Sequence, residues 1–481
     1  MESGVGGVSE VLDIAALNLS ALPNGWHYQA VSEIGATGEQ PVLTGPFGTN
    51  LGRGDFVASG VPLLTIGCLT QGGINLDKAL FVSEEKAKEL SRYRLKEGDL
   101  LFSRMASVGR AGLVPKWLEG ALFNYHIMRL RLDESRIDTR LFINYVRGAK
   151  QVRDYLKAVN HGATRDGINT EQLLGLPVAV PPLSEQREIV AELEKQFSRL
   201  DEAVANLQRV KANLKRYKAS VLKAAVEGRL VETEATLARR EGRTFETGEQ
   251  LLQRILEERQ AKWAGRGKYK LPVSPLNDGL PPLPDGWTWA TSDQLTYLIT
   301  SGSRGWGDFY SDTGVLFIRA QDIKTDALNF PDAARVNVPI DAEGTRSSVT
   351  EGDILVTITG ANVTKSALVP ALGELAFVSQ HVALMKLSMP ETASFVFNWI
   401  ISPANGRKTL ESWAYGAGKP GLSLEQVRAL PIALPPLAEQ ARIVAEVDRH
   451  LSIIREVEAE VDTNLQRAKS LRQATLARAF L

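Results

Sequence analysis

The sequence has little of what covalent or metal chemistry needs. Its 481 residues include one cysteine, Cys68, and five histidines that are scattered along the chain. A lone cysteine can form neither an internal disulfide nor a thiolate zinc site. No apolar run approaches the roughly 18 to 20 residues of a membrane span, and the first residues lack the pattern of a secretion signal. We therefore expect a cytoplasmic protein with no metal site and no membrane partner.

Sequence motifs of catalysis are missing as well. The phosphate-binding pattern G-x-x-x-x-G-K-[ST] does not occur, and neither does the G-x-S-x-G pattern of serine hydrolases. Leucine follows both Pro181-Pro182 and Pro435-Pro436, where a base methyltransferase would carry an aromatic residue. His126 and His381 have no carboxylate or nucleophile nearby in the sequence. We predict no catalytic residue in this chain, and therefore a binding protein.

Net charge gives no general attraction to nucleic acid. Lysine plus arginine equals aspartate plus glutamate at 56 each. Residues 40–178 contain 19 basic and 14 acidic side chains, whereas residues 283–433 contain 11 basic and 15 acidic ones. A non-specific polyanion binder would be more basic. The balance is compatible with a sequence-specific reader that aims a few arginines at base edges.

An internal duplication is the most informative feature of the chain. Residues 176–197, LPVAVPPLSEQREIVAELEKQF, match residues 430–451, LPIALPPLAEQARIVAEVDRHL, at twelve of 22 positions. The same offset of 254 relates the Glu-Gly-Asp turns at 97–99 and 351–353. A Leu-Pro-x-Gly-Trp turn stands near each start, at 22–26 and 283–287. The chain is two copies of one unit.

Each copy begins as an α+β domain of about 150 residues. Short apolar runs bounded by turn residues predict strands at 61–66, 100–102, 123–132, 315–318, 354–358 and 377–387. Residues 142–146 and 395–401 predict short buried helices. We expect domains at 1–180 and 283–434, long helices at 181–228 and 435–481, and a linker with a short helix at 229–282.

The long helices carry apolar seams that need a partner. The first seam comprises Leu193, Phe197, Leu200, Val204, Leu207, Leu214, Tyr217 and Val221, and the second comprises Val447, Leu451, Ile454, Val461, Leu465 and Leu471. Their similarity favours an antiparallel coiled coil within one chain, with internal pseudo-two-fold symmetry. Two separate dimerisation helices are the alternative. The basic second halves of both helices either pair with the acidic first halves or contact phosphates.

The duplicated layout resembles the specificity subunits of type I restriction-modification systems. Pro181–Gln186 and Pro435–Gln440 carry the resemblance, together with the loops at 162–169 and 416–423 and with Gly228-Arg229-Leu230. The resemblance implies two target recognition domains that read the halves of a bipartite, asymmetric DNA site, with the helices as spacers. It implies two modification (methyltransferase) subunits and restriction (endonuclease and translocase) subunits as partners. S-adenosylmethionine and ATP would be bound by those partners, and no cofactor by this chain.

Candidate DNA-binding residues follow from glycine-rich loops and from matched turns, because a cation on such a loop can approach a phosphate or a base edge closely. A plain surface turn is the alternative for each. The candidates are Arg104, Arg110, Thr164 and Arg165 in the first domain and Arg304, Lys365 and Lys419 in the second.

The competing functions of the whole chain are an enzyme with built-in recognition, and a coiled-coil scaffold or a DNA-binding protein outside restriction-modification.

Overall fold

The chain folds into two compact units. The computed structural model describes residues 19–48, 50–70, 73–105, 109–159, 167–263, 268–276, 279–302, 305–324, 326–337, 346–416 and 420–480. Unit 1 comprises Met1–Gln208 and Asp462–Leu481, and unit 2 comprises Arg209–Val461. Each is mixed helix and sheet, which confirms the predicted α+β class. None of the helices in these described ranges is long and apolar enough to cross a membrane.

Unit 1 begins with short strands and helices and ends in a long helix. Its strands are β1 (His27–Ala30), β2 (Val42–Thr44), β3 (Phe56–Leu64), β4 (Leu69–Thr70), β5 (Gly73–Ile74), β6 (Leu80–Val82), β7 (Leu100–Ser103), β8 (Ala111–Leu113), β9 (Leu122–Phe123), β10 (Ile127–Leu130) and β11 (Pro177–Val180). Its helices are α1 (Val31–Ile34), α2 (Glu84–Glu89), α3 (Thr139–Gly148), α4 (Lys150–Val159) and α5 (Thr170–Leu174), followed by α6 (Leu183–Val226), which continues into unit 2.

Unit 2 repeats this order after two additional helices. Its helices are α7 (Glu234–Glu241), α8 (Gly248–Ala261), α9 (Ser292–Leu295), α10 (Ala393–Ile401), α11 (Gly406–Trp413), α12 (Leu424–Ala429) and α13 (Leu437–Ala479), the last of which continues into unit 1. Its strands are β12 (Thr288–Thr291), β13 (Thr296–Ser301), β14 (Tyr310–Ser311), β15 (Val315–Ile318), β16 (Ile323–Lys324), β17 (Ala327–Leu328), β18 (Arg335–Val336), β19 (Ser348–Val349), β20 (Ile354–Thr357), β21 (Ser366–Leu368), β22 (Ala376–Val378), β23 (Val382–Leu387) and β24 (Pro431–Leu434).

The two units share the topology of a four-stranded antiparallel sheet, whereas their second sheets have three and five strands. Unit 1 has an antiparallel sheet of order β2-β10-β7-β8, and unit 2 has one of order β13-β23-β20-β21. A second sheet in each unit contains one parallel pair, β3 with β9 and β15 with β22. The first and last strands of each domain also pair, β1 with β11 and β12 with β24. The runs predicted as single strands at 123–132 and 377–387 are each divided between the two sheets.

The duplicated Glu-Gly-Asp turn has a structural role. The Asp99 carboxylate accepts the backbone N–H of Lys96 at 2.8 Å and pairs with Arg131 at 2.6 Å. The Asp353 carboxylate likewise accepts the N–H of Thr350 at 2.8 Å and pairs with the buried ammonium of Lys386 at 2.6 Å. Each aspartate therefore closes the turn before the central strand and fixes a cation on the neighbouring strand.

The two other duplicated motifs meet where each long helix leaves its domain. The indole N–H of Trp26 donates to Glu185 at 2.9 Å in unit 1, and that of Trp287 donates to Glu439 at 2.9 Å in unit 2. Gln186 is buried, and its amide donates to the carbonyl of Pro181 at 2.8 Å. The Leu-Pro-x-Gly-Trp turn and the Pro-Pro-Leu-x-Glu-Gln junction thus anchor the helix to the domain.

Matched tryptophan variants should lower the free energy of unfolding by different amounts, because Glu439 is fully buried, whereas Glu185 is partly exposed. Burial raises the pKa of Glu439. Trp287→Phe removes a donor from this buried carboxyl, and we expect it to lower the free energy of unfolding by about 2 kcal/mol. Trp26→Phe should cost about 1 kcal/mol or less. Urea unfolding of the full chain, followed by circular dichroism, measures both free energies of unfolding. Equal losses in the two variants would contradict the role assigned to the burial of Glu439.

The long helices form as the sequence predicts. The sequence predicts a first long helix at 181–228, and the observed helix α6 spans Leu183–Val226. In unit 1, Arg472 of α13 pairs with Asp201 of α6 at 2.5 Å and lies over the ring of Phe197 at 4.5 Å. In unit 2, the Tyr217 hydroxyl lies 2.9 Å from Nδ1 of His450. Within each unit the two long helices therefore contact one another.

Two residues of the predicted seams are exposed. Leu471 is 57% exposed, and the nearby buried residues of α13 are Ala468 and Leu476. Ten residues separate Leu471 from the buried Val461, and at about 100° per residue this turns Leu471 some 80° away from the seam. Tyr217 is 46% exposed, and both its hydroxyl and its ring contact His450.

The segment between the repeats is more ordered than the predicted linker with one short helix. Helix α7 begins at Thr233, whose side chain accepts the N–H of Thr236, and its Glu234 N–H donates to Glu439 at 2.8 Å. Helix α8 buries Leu251 and Ile255 in the core of unit 2. The capping box formed by Thr247 and Gln250 was a readable signal for the start of α8.

Candidate nucleic-acid interface

Three loops of unit 1 meet at one end of its antiparallel sheet. They follow β2, precede β10, and join β7 to β8. Neighbouring antiparallel strands bring the end of one and the start of the next to the same edge, so the topology places these loops together. The backbone confirms it: the N–H of Arg104 donates to the carbonyl of His126 at 3.1 Å, and that of Gly45 donates to the carbonyl of Ile127 at 3.2 Å.

Arg104 is the central cation of this loop cluster. Its backbone is fixed on both sides, because its carbonyl also accepts the N–H of Ile168 at 2.9 Å. Its side-chain Nε is buried and has no hydrogen-bond partner among the described residues. Burial and the neighbouring guanidinium of Arg104 lower the pKa of His126. The imidazole is therefore neutral at pH 7, with one donor and one acceptor nitrogen.

Exposed aromatic rings stand beside this pair. Phe47 is 55% and Tyr125 is 37% exposed, and their rings stack at 5.8 Å. The ring of Tyr125 lies 3.9 Å from that of His126, centroid to centroid. A guanidinium can bind a guanine edge through two hydrogen bonds, and an apolar ring can contact a thymine methyl group. The sequence did not predict Phe47, Tyr125 or His126 as binding residues, because Phe47 and Arg104 come close to Tyr125 and His126 only in the fold.

Unit 2 builds the same backbone with different side chains. The N–H of Ile358 donates to the carbonyl of His381 at 2.9 Å, and its own carbonyl accepts the N–H of Leu422 at 2.8 Å. Ile358 therefore occupies the position of Arg104, and it is buried. The bridge between Met105 and Gly167 is matched by one between Thr359 and Gly421. The same backbone thus carries a charged side chain in unit 1 and a buried aliphatic one in unit 2.

The predicted residues Arg110 and Lys365 occupy equivalent places in the two units. The Arg110 carbonyl accepts the N–H of Ser103 at 2.8 Å, and the Lys365 carbonyl accepts that of Thr357 at 2.8 Å. Each stands directly before the second strand of its hairpin, β8 or β21. Thr364, just before Lys365, has φ 72°, which is rare for a β-branched residue. Such local strain is often stored at functional loops.

The structure leaves the other candidates untested. Thr164, Arg165, Arg304 and Lys419 lie outside the described residues. Their assignment as DNA-binding residues stays a prediction. Of the predicted residues that are described, Arg104 and Arg110 lie on the same β7–β8 loop, and Lys365 lies on its counterpart in unit 2.

Comparison with known proteins finds similarity to DNA specificity proteins. The family described as "Type I restriction modification DNA specificity domain" matches residues 50–215. The type I restriction enzyme EcoBI specificity subunit of Escherichia coli is 25% identical over 386 residues, which cover 75% of this chain and 69% of that protein. The StySPI specificity subunit of Salmonella potsdam is 30% identical over 151 residues, covering 30% of this chain and 32% of that protein.

A solved structure shows the same fold. It belongs to work on "complex assembly and conformational transition of the type I R-M system", and it aligns with a TM-score of 0.60 and 17% identity over 96% of this chain and 99% of that one. Residues 50–215 therefore match a DNA specificity domain of type I restriction-modification systems, and the chain is similar to specificity subunits of these systems.

Proposed function

We propose that this chain is the DNA-reading subunit of a type I restriction-modification complex. Each domain reads one half of a bipartite, asymmetric DNA site with the loops at the end of its antiparallel sheet. The observation that carries the proposal is the matched backbone with unmatched side chains, Arg104 in one unit and Ile358 in the other. Equal scaffolds let both domains approach duplex DNA in the same way, and unequal side chains make the two half-sites different.

The long helices would serve as spacer and as docking surface. Two methyltransferase subunits bind along them, and restriction subunits complete the complex. Those partners carry S-adenosylmethionine and ATP, whereas this chain binds no cofactor and holds the DNA while the methyltransferase flips the target base out of the stack. The dense anchoring of each helix through Glu185 and Glu439 supports this role, because a spacer must be fixed rigidly to its domain.

The proposal is tested by DNA binding of the chain in complex with its methyltransferase partner. Affinity should depend on sequence in two separate half-sites, and log K should fall linearly with log salt concentration. Binding that ignores sequence would favour a scaffold or a general DNA-binding protein.

The chain purified alone should neither methylate nor cut DNA. We expect this because its sequence contains no readable cofactor or nucleotide motif. Incubation with labelled S-adenosylmethionine and target DNA measures methyl transfer, and gel analysis of the same DNA with ATP and Mg²⁺ measures cleavage. Activity that follows the homogeneous chain through purification would contradict the proposal and favour an enzyme.

A further inference from the structure

A cavity of unit 1 is lined by cations. It has a volume of about 360 Å³ and lies among the start of β8, helices α3 and α4, and the last turns of α13. Its charged lining residues are Arg110, Arg147, Arg153, Lys469 and Arg472, and no carboxylate lines it among the described residues. Five positive charges around one cleft create a strong local positive potential. The balanced net charge of the whole chain conceals this cluster.

Neighbouring groups hold three of these cations in place. The Arg147 guanidinium donates to the carbonyl of Ala111 at 2.9 Å, and that of Arg153 donates to the carbonyl of Gly148 at 2.9 Å. Arg472 is held by its ion pair with Asp201 and by the ring of Phe197. Burial and the nearby charge of Arg472 lower the pKa of Arg147, so the two guanidiniums repel one another. An anion between them would relieve that repulsion.

We propose that this cavity binds a phosphate of the DNA backbone, next to the half-site that unit 1 reads. The inference rests on the proposed function. Arg110 belongs both to the cavity and to the loop that joins β7 to β8, where Arg104 lies. The cavity is therefore continuous with the reading loops. This continuity favours a DNA phosphate over an acidic segment of a partner protein, because positioning contacts to phosphates flank base contacts at protein–DNA interfaces.

Among the described residues, unit 2 does not repeat the Arg147 cation of this site. The hydroxyl of Tyr145 donates to the carbonyl of Pro177, and the indole N–H of Trp399 donates to that of Pro431, which aligns helix α3 with helix α10. Two residues beyond each aromatic residue stand Arg147 in unit 1 and Ile401 in unit 2, and Ile401 is buried in the apolar core. The cation at this position is thus a feature of the first domain alone.

The test uses two exposed cations at the rim, so that folding is not disturbed. The variant carries Arg153→Gln and Lys469→Gln, and it is measured as the complex with the methyltransferase partner on target duplex DNA. We expect about tenfold weaker binding, equal for all sequences, and a salt slope that is smaller by roughly one, because one phosphate contact is lost. Base preference in both half-sites should not change. Lys195→Gln is the control, because Lys195 is exposed on α6 and pairs only with Glu192 at 3.6 Å.

Replacing single phosphates of the duplex with neutral methylphosphonates locates the contact. At one position the substitution should weaken the parent complex and leave the double variant unaffected. Inorganic phosphate, titrated without DNA, shows whether the cavity holds a free anion instead. An unchanged salt slope, or loss of the methyltransferase subunit with DNA contacts retained, overturns the inference. Absence of any sequence dependence in the parent complex would instead contradict the proposed function.

Discussion

Lengthening both long helices by four residues is expected to move the two half-sites apart and to abolish specific binding to the parent site. One insertion follows Val204 of α6. The other follows Leu465 of α13, at a level set by the Arg472–Asp201 and Tyr217–His450 contacts. Four residues add about 6 Å of helix, which is nearly two base pairs. On the parent site the variant should fall to non-specific affinity, a loss on the order of a thousandfold or more.

A library of sites with altered spacers measures this result. Affinity should be recovered on a site whose unread spacer is about two base pairs longer, with both half-site sequences unchanged. An insertion in only one helix is the control; it puts the seams out of register and should weaken binding at every spacer length. A double-insertion variant that still prefers the parent spacer would show that the helices do not set the distance.

Arg104→Ala is expected to relax base preference in one half-site only. Loss of a two-hydrogen-bond contact to a base costs about 1 to 3 kcal/mol, so cognate affinity should fall roughly five- to 150-fold. The salt slope should change little if the contact is to a base, whereas a phosphate contact would lower the slope by about one on all sequences. Selection of bound DNA from a randomised library reads the preference at every position.

Two further variants make the Arg104 result interpretable. Arg104→Lys keeps the charge but loses the planar fork of the guanidinium, and it should lose base preference while retaining the salt slope. Lys96→Ala is the control, because Lys96 stands before β7, at the opposite end of the same strand, and pairs with Glu39 at 3.8 Å. Preference lost equally in both half-sites would assign Arg104 to folding rather than to reading.

Local patterns determined much of this structure from the sequence. The strand at 315–318 and the first long helix lie at the predicted places, because alternation, turn residues and apolar spacing act within a few residues. Two predicted seam residues are exposed. Leu471 lies too far along the helix for the assumed spacing to keep it on the seam, and Tyr217 is an aromatic residue with a polar hydroxyl. The sequence did not predict helix α7, because its N-cap Thr233 is by itself a weak sign of a helix start. The hydrogen bond from the Glu234 N–H to Glu439, which also holds this helix, exists only in the fold.

The candidate site was predictable only in part. Arg104, Arg110 and Lys365 were selected because they follow a duplicated turn, and the structure places Arg110 and Lys365 at equivalent positions. Phe47 and Tyr125 join Arg104 only through the sheet order, which brings together loops that are far apart in the chain. The correspondence of Arg104 with Ile358 also required backbone hydrogen bonds, because the two side chains have nothing in common.

The sequence alone determined the duplication, the α+β domains and the long helices, because each of these follows from repeated or periodic residues. Tertiary structure decided what those residues do. In the fold, the duplicated Trp and Glu side chains form hydrogen bonds that hold each long helix to its domain, and Asp99 and Asp353 form ion pairs with cations of the sheets. The fold also gathers Arg147 and Lys469, which are more than three hundred residues apart, around one cavity. Charge composition is an average over the chain, whereas a binding site depends on which charges the fold brings within a few ångströms of one another.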